Sequence, residues 1–171
     1  MQQHLSRGVV SWGLAAGLAL AATAAPAADG QLARGKYLVT IASCFDCHTP
    51  GFFLGKPDMT RFLGGSDVGF ELPGLGIFVG PNLTPDKDTG LGNWTRQQIV
   101  TALQTGKRPD GRELAPIMPW KAYANLTSAD AMAIASFLKS LPAVQNKVAG
   151  PFGPSETPGV FVMKVVPPPG K

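Results

Sequence analysis

At 171 residues and 44% hydrophobic content, the chain is long enough to bury one domain-sized core and too apolar to be disordered throughout. Its formal net charge of +4 sets 15 Lys and Arg against 11 Asp and Glu with no basic run, which argues against nucleic-acid binding. Twenty-one Gly and 16 Pro predict long loops between helices, and two cysteines exclude a disulfide framework beyond a strained local pair.

Residues 1–27 read as a signal peptide. Arg7 supplies a basic start, Val9 to Ala22 an apolar run, and Ala22-Thr23-Ala24 or Ala25-Pro26-Ala27 a small-residue cleavage site. The apolar core is short for a span of ~20 residues, so removal is favoured over a retained anchor. There is no twin-arginine pair, which points to Sec export and a periplasmic protein without an integral membrane span in the mature chain. Arg7 is the only charged residue in this segment, so processing leaves a net charge of +3.

Residues 28–148 read as one domain. Asp29 to Ser43 predicts a first helix, with Asp29 as N-cap and Ala33, Tyr37 and Ile41 as an apolar stripe. This helix is expected to run straight into Cys44-Phe45-Asp46-Cys47-His48. Thr49 to Asn93 is rich in Gly and Pro and reads as an ordered wrap, with at most a short β-ribbon near Phe70 and Ile77 to Val79. A loop of this length in a compact domain needs something to wrap around. Asp86 and Asp88 lie in a turn and read as solvated turn residues rather than calcium ligands.

Thr95 to Thr105 opens with a T-x-x-Q capping box and ends before Gly106, predicting a helix with Ile99, Ala102 and Leu103 on its apolar face. Lys107 to Arg112 is a turn, and Leu114 to Trp120 is an apolar loop braced by Pro116 and Pro119. After a short helix at Pro119 to Asn125, Thr127 caps a longer one over Ser128 to Leu141, closed by Pro142. Residues 149–171 read as a Pro-rich tail, expected to be extended and mobile, that could dock on a partner or on its own domain.

The chemistry is concentrated in Cys44, Cys47 and His48. Positions i, i+3 and i+4 share one face of a helical turn, so two thiols and an imidazole point the same way. The thiols can add to the two vinyl groups of a haem and leave His48 beneath the iron. This C-x-x-C-H spacing reads as covalent c-type haem attachment, with one haem c per chain. In bacteria that attachment happens outside the cytoplasm, in agreement with the export signal.

The second axial ligand follows by elimination. His4 is the only other histidine and lies in the signal segment, so a bis-histidine iron is excluded after processing. Methionine then completes the pair found in electron-transfer cytochromes. Met132 lies in the last helix and Met163 in the tail. Met118, in the proline-braced loop, can reach the opposite face of the ring and is the first choice; Met59, close behind His48, is the alternative. The iron axial positions are thus assigned to His48 and Met118.

Other readings of the motif fare worse. A thioredoxin-like site needs a βαβ context, which is missing, and a zinc site needs a fourth Cys or His. A labile distal position for gas binding or catalysis finds no distal acid–base group in the sequence.

Together these residues resemble the class I c-type cytochromes. The likeness is greatest to the cytochrome c modules of bacterial periplasmic alcohol and sugar-acid dehydrogenases. It rests on Arg34-Gly-Lys-Tyr-Leu, Gly80-Pro-Asn-Leu-Thr-Pro-Asp, Thr89-Gly-Leu-Gly-Asn-Trp94, Arg108-Pro-Asp-Gly-Arg112 and Pro116-Ile-Met-Pro119, spanning about Asp29 to Pro142. The resemblance implies an all-α cytochrome c fold with long haem-wrapping loops and crossing terminal helices, here near Gly35/Tyr37 and Phe137/Leu138. It also implies that Asn82 and Trp94 help to enclose the haem.

The expected role is carriage of single electrons by a non-enzymatic protein, between a dehydrogenase donor and a cytochrome or oxidase acceptor of the respiratory chain. Dehydrogenase subunits of this kind commonly carry three modules and a membrane anchor, whereas this chain has one haem motif. A free carrier and a bound subunit of a dehydrogenase therefore both remain open. Lys107, Arg108, Arg112 and Lys121 flank the distal loop and are the candidate steering charges for an acidic partner.

Overall fold

The structure, a computed structural model, describes residues 25–168, so the predicted signal peptide lies outside the described residues except for its last three, and His4 lies outside with it. Five helices and three strands follow in the order α1 (Ala25–Ile41), α2 (Cys44–His48), β1 (Val68–Leu72), β2 (Gly76–Val79), α3 (Arg96–Thr105), α4 (Trp120–Tyr123), α5 (Ser128–Ser140) and β3 (Phe161–Met163). Helices dominate, with irregular loops and one small sheet, as expected of a cytochrome c fold.

Helix α1 begins earlier than the Asp29 cap that the sequence suggested, because Ala25 to Ala28 are strong helix formers and Pro26 is tolerated in a first turn. A chain cleaved after Ala27 starts inside this helix. The buried face also differs. Ala33, Tyr37 and Ile41 are exposed, while Gly35, Leu38 and Val39 turn inward at i, i+3 and i+4. The crossing with α5 decides this. A Cβ on Gly35 would overlap the Ala133 carbonyl oxygen and sit 2.7 Å from Phe137 Cβ. The two backbones touch there, and only glycine permits it. The crossing expected near Gly35 and Phe137 is present, but Tyr37 is 53% exposed and takes no part in it.

Arg34 ties the same two helices from outside, its Nε donating to Asp130 Oδ1 at 2.8 Å. Helix α3 carries the predicted reciprocal cap: Gln98 N–H donates to Thr95 Oγ1 at 3.1 Å, and Thr95 N–H to Gln98 Oε1 at 2.8 Å. Gly106, with φ 72°, ends it in the left-handed conformation. Helices α1, α3 and α5 enclose the core of Leu38, Val39, Ile99, Val100, Leu103, Ile134 and Leu138, to which the wrap adds Leu63 and Leu91.

The wrap contains the expected ribbon: β1 and β2 pair antiparallel with Phe70 opposite Phe78. Asp86 is a turn residue as read, its Oδ1 accepting from the N–H groups of Asp88 and Thr89 and from Thr89 Oγ1. The third strand was not foreseen. The tail returns to pair β3 parallel to β1, giving the order β2-β1-β3, and Phe152 bridges Ile77 with two backbone hydrogen bonds of 2.9 Å. Of the two docking options, the tail takes its own domain. Among the described residues no helix is long and apolar enough to cross a membrane.

Candidate functional site

The motif is not a continuation of α1. That helix stops at Ile41, and Ser43 adopts a left-handed conformation with φ 53°, so Cys44–His48 forms a separate helical turn set at an angle to α1. A non-glycine residue in this region is uncommon and is held here by its surroundings. Phe45, inside the motif, packs edge-on to Phe52 at 5.4 Å and near Phe62 at 6.1 Å, which anchors the turn to the wrap.

Cys44 and Cys47 are both free thiols. Burial pushes the Cys44 pKa up to about 11 and raises that of Cys47 as well. Both are therefore protonated at neutral pH, the opposite of the activated thiolate that a redox or metal-binding pair requires. His48 is 6% exposed, and burial lowers its pKa despite the opposing hydrogen bond to Pro81, so the imidazole is neutral. Its Nδ1 lies 2.7 Å from the Pro81 carbonyl oxygen, which makes Nδ1 the protonated nitrogen. Nε2 is then left with its lone pair, the state a metal-ligating imidazole needs.

The sequence singled out the Gly80-Pro81-Asn82 string without identifying this contact. Gly80 lets the strand end approach the motif, since a Cβ there would overlap the Cys47 carbonyl oxygen. Asn82, 2% exposed, holds the next residue in place. Its Nδ2 donates to Val144 O at 2.6 Å and Thr89 Oγ1 at 3.1 Å, while its Oδ1 accepts from Thr84 N–H at 2.9 Å and Thr84 Oγ1 at 2.7 Å. Its role is thus to fix the polypeptide carrying the Pro81 carbonyl.

Beside Cys44 a cavity of about 160 Å³ opens between helices, lined by Leu38, Ile41, Ala42, Leu103, Tyr123, Leu126 and Ile134. Its walls are apolar apart from the Tyr123 hydroxyl and the Cys44 thiol. Tyr123 Oη donates to Ala42 O at 3.1 Å, joining α4 to the end of α1 next to the motif. Met118 precedes α4. Its N–H donates to Ala115 O at 2.9 Å and its carbonyl accepts from Trp120 N–H at 2.8 Å, so the loop is held on both sides. The Met118 side chain is half-buried against the core, as are Cys44 and Tyr123. Met59 is 59% exposed and Met163 45% exposed. The donor set, two thiols and a neutral imidazole on one helical turn with an inward thioether on a later loop, fits a covalently attached haem.

The family model for cytochrome c matches residues 32–142, from α1 through the end of α5. The chain belongs to the cytochrome c family. A cytochrome c domain implies covalently bound haem c. It is 32% identical over 174 residues to the cytochrome c subunit of the quinone-dependent alcohol dehydrogenase of Gluconobacter oxydans, covering 87% of this chain and 34% of that one. To the cytochrome subunit of fructose dehydrogenase from Gluconobacter japonicus it is 34% identical over 134 residues, covering 76% and 26% respectively. A diheme cytochrome c-type protein of Cereibacter sphaeroides is 30% identical over 113 residues, covering 66% of this cytochrome and 37% of its relative. The cytochrome thus spans between 26% and 37% of the length of these three relatives.

Proposed function

We propose that this cytochrome c is a periplasmic carrier of single electrons with one haem c, held by Cys44 and Cys47 and ligated by His48 and Met118, working between a dehydrogenase and the respiratory chain. When bound, the haem supplies a one-electron Fe(III)/Fe(II) couple. The observation that carries the reading is the set of His48 restraints. The buried imidazole is kept neutral and aimed by the Pro81 carbonyl, beside two protonated thiols on one helical turn.

Met118 is favoured over Met59 because it is packed inward on a loop fixed at both ends, while Met59 is mostly exposed on a short turn. A thioether opposite imidazole raises the reduction potential. Held by both His48 and Met118, the haem would have no site for an exogenous ligand, which separates a carrier from a gas-binding or catalytic protein.

The relatives named as dehydrogenase cytochrome subunits favour one refinement, that the protein works bound to such an enzyme. Co-purification of the exported protein with a dehydrogenase supports the subunit, and isolation as a monomer supports the free carrier. The test of the site is spectroscopic. Wild type should retain haem on a denaturing gel and show a low-spin spectrum unchanged by CO. Met118→Ala should become high-spin and bind CO; a native spectrum in that variant would overturn the ligand assignment.

A further inference from the structure

The small sheet is closed at one edge and open at the other. Outside β2, Phe152 exchanges two backbone hydrogen bonds of 2.9 Å with Ile77, and a Cβ on Gly76 would overlap the Phe152 carbonyl oxygen. Outside β3 no further strand pairs among the described residues, so its outer N–H and C=O groups stand ready to pair. Sheet edges are normally guarded by charge, proline or a covering loop. Here Lys164 is the only charge between Pro158 and Pro168, and Pro167 and Pro168 come after the apolar stretch rather than within it.

Side chains alternate across the sheet. Val162 and Lys164 turn to the face where, with Glu71, they line a groove beside the 153–158 loop. Phe161, Met163 and, in the extended continuation, Val165 take the other face and are 62%, 45% and 95% exposed. They continue an apolar surface, since Phe70 neighbours Met163 in register and Phe53 packs edge-on to Phe70 at 5.3 Å. An open edge and an uncovered apolar row on the same strand mark an interaction surface.

We propose that β3 pairs antiparallel with β3 of a second copy of this chain, joining two three-stranded sheets into one. About a twofold axis at Met163, Phe161 falls opposite the partner's Val165 and Met163 opposite the partner's Met163. Every exposed apolar side chain of the row thus covers another. Val162 falls opposite the partner's Lys164, which keeps the two ammonium groups from facing each other. This complementarity of the strand to its own reverse singles out a second copy as the occupant. With one open edge per molecule, pairing closes at two chains and cannot extend into a filament. The covered strip is small beside the roughly 800 Å² per partner of a lasting interface, so the dimer is reversible, a monomer when dilute. Nothing in this pairing depends on the haem.

Sedimentation velocity of the holoprotein from about 1 μM to 1 mM tests the pairing. The mass should rise from one chain to two across that range. Met163→Lys sets two ammonium groups face to face at the twofold and should stay monomeric throughout, with the melting temperature of dilute wild type. Met163→Cys should form a disulfide-linked dimer under mild oxidation, because directly opposed Cα atoms stand about 4.5–5.5 Å apart, within disulfide reach. Lys164→Cys should not, since its two copies are diagonal neighbours about 7–8 Å apart. Wild type that remains one chain over the whole range overturns the pairing and leaves the edge to a strand of a different protein. Dimerisation of Met163→Lys equal to that of wild type overturns it as well, as does cross-linking of Lys164→Cys in preference to Met163→Cys.

Discussion

The proton on His48 Nδ1 meets the carbonyl of a proline, which the fold holds in place by hydrogen bonds from its neighbours. The His48 imidazole is therefore aimed by a segment 33 positions along the chain. Tyr123 is the corresponding tie on the cavity side, donating to Ala42 O across the end of α1. Burial pushes its pKa up to about 12, so it remains a donor throughout the working pH range. Tyr123→Phe should cost about 1 kcal/mol, lowering the melting temperature by roughly 3 °C in thermal denaturation of the holoprotein. An unchanged melting temperature would show that the hydroxyl is better served by water. At this scale the sequence was informative where chemistry is local. Spacing alone groups Cys44, Cys47 and His48, whereas the parts played by Pro81 and Tyr123 arise from tertiary contacts that no local pattern encodes.

Among the elements, α3 and α5 were legible because their signals are short-range: a capping box, a Thr cap, a C-terminal Gly. Helix α1 was legible as a helix but not in its orientation. Its apolar residues fall on two overlapping stripes, and the choice between them is made by Gly35 meeting Ala133. A glycine in a helix normally weakens it, so its value here is visible only once the partner is in place. Gly35→Ala should cost about 1–3 kcal/mol by overpacking the crossing, although alanine is the better helix former. Urea denaturation measures this, and a stabilised variant would refute the close crossing.

For the whole molecule, the family match ends at residue 142, yet the structure does not. Val144 N–H donates to Thr84 Oγ1 at 3.0 Å, Asn146 N–H to Thr89 Oγ1 at 3.1 Å, and Asn146 Nδ2 to Gly64 O at 2.7 Å. These bonds close the network around Asn82 and hence the segment bearing Pro81. A chain ending at residue 142 should melt well below full length and, on the proposed ligation by His48, lose its low-spin spectrum first on heating. A chain ending at residue 150 loses only the Phe152 bridge and β3 and should stay close to full length. Equal melting of the two truncations would deny the network its role. The sequence suggested a tail because prolines and missing periodicity mark irregular backbone, but irregular backbone can still be tied down.

Arg34 and Asp130 meet although they stand 96 positions apart, and the Gly35 crossing lies directly beside them. The first and last helices of the domain are thus each other's main support, and α1 has no partner until α5 has been made. Such long-range pairing slows folding, because the loop must close before any contact rewards it. In a chain exported as proposed, the C-x-x-C-H turn emerges covalently continuous with α1 but not yet clamped by α5. On the proposed haem attachment, this late pairing leaves an interval in which both thiols can be reached before the helices shut over them.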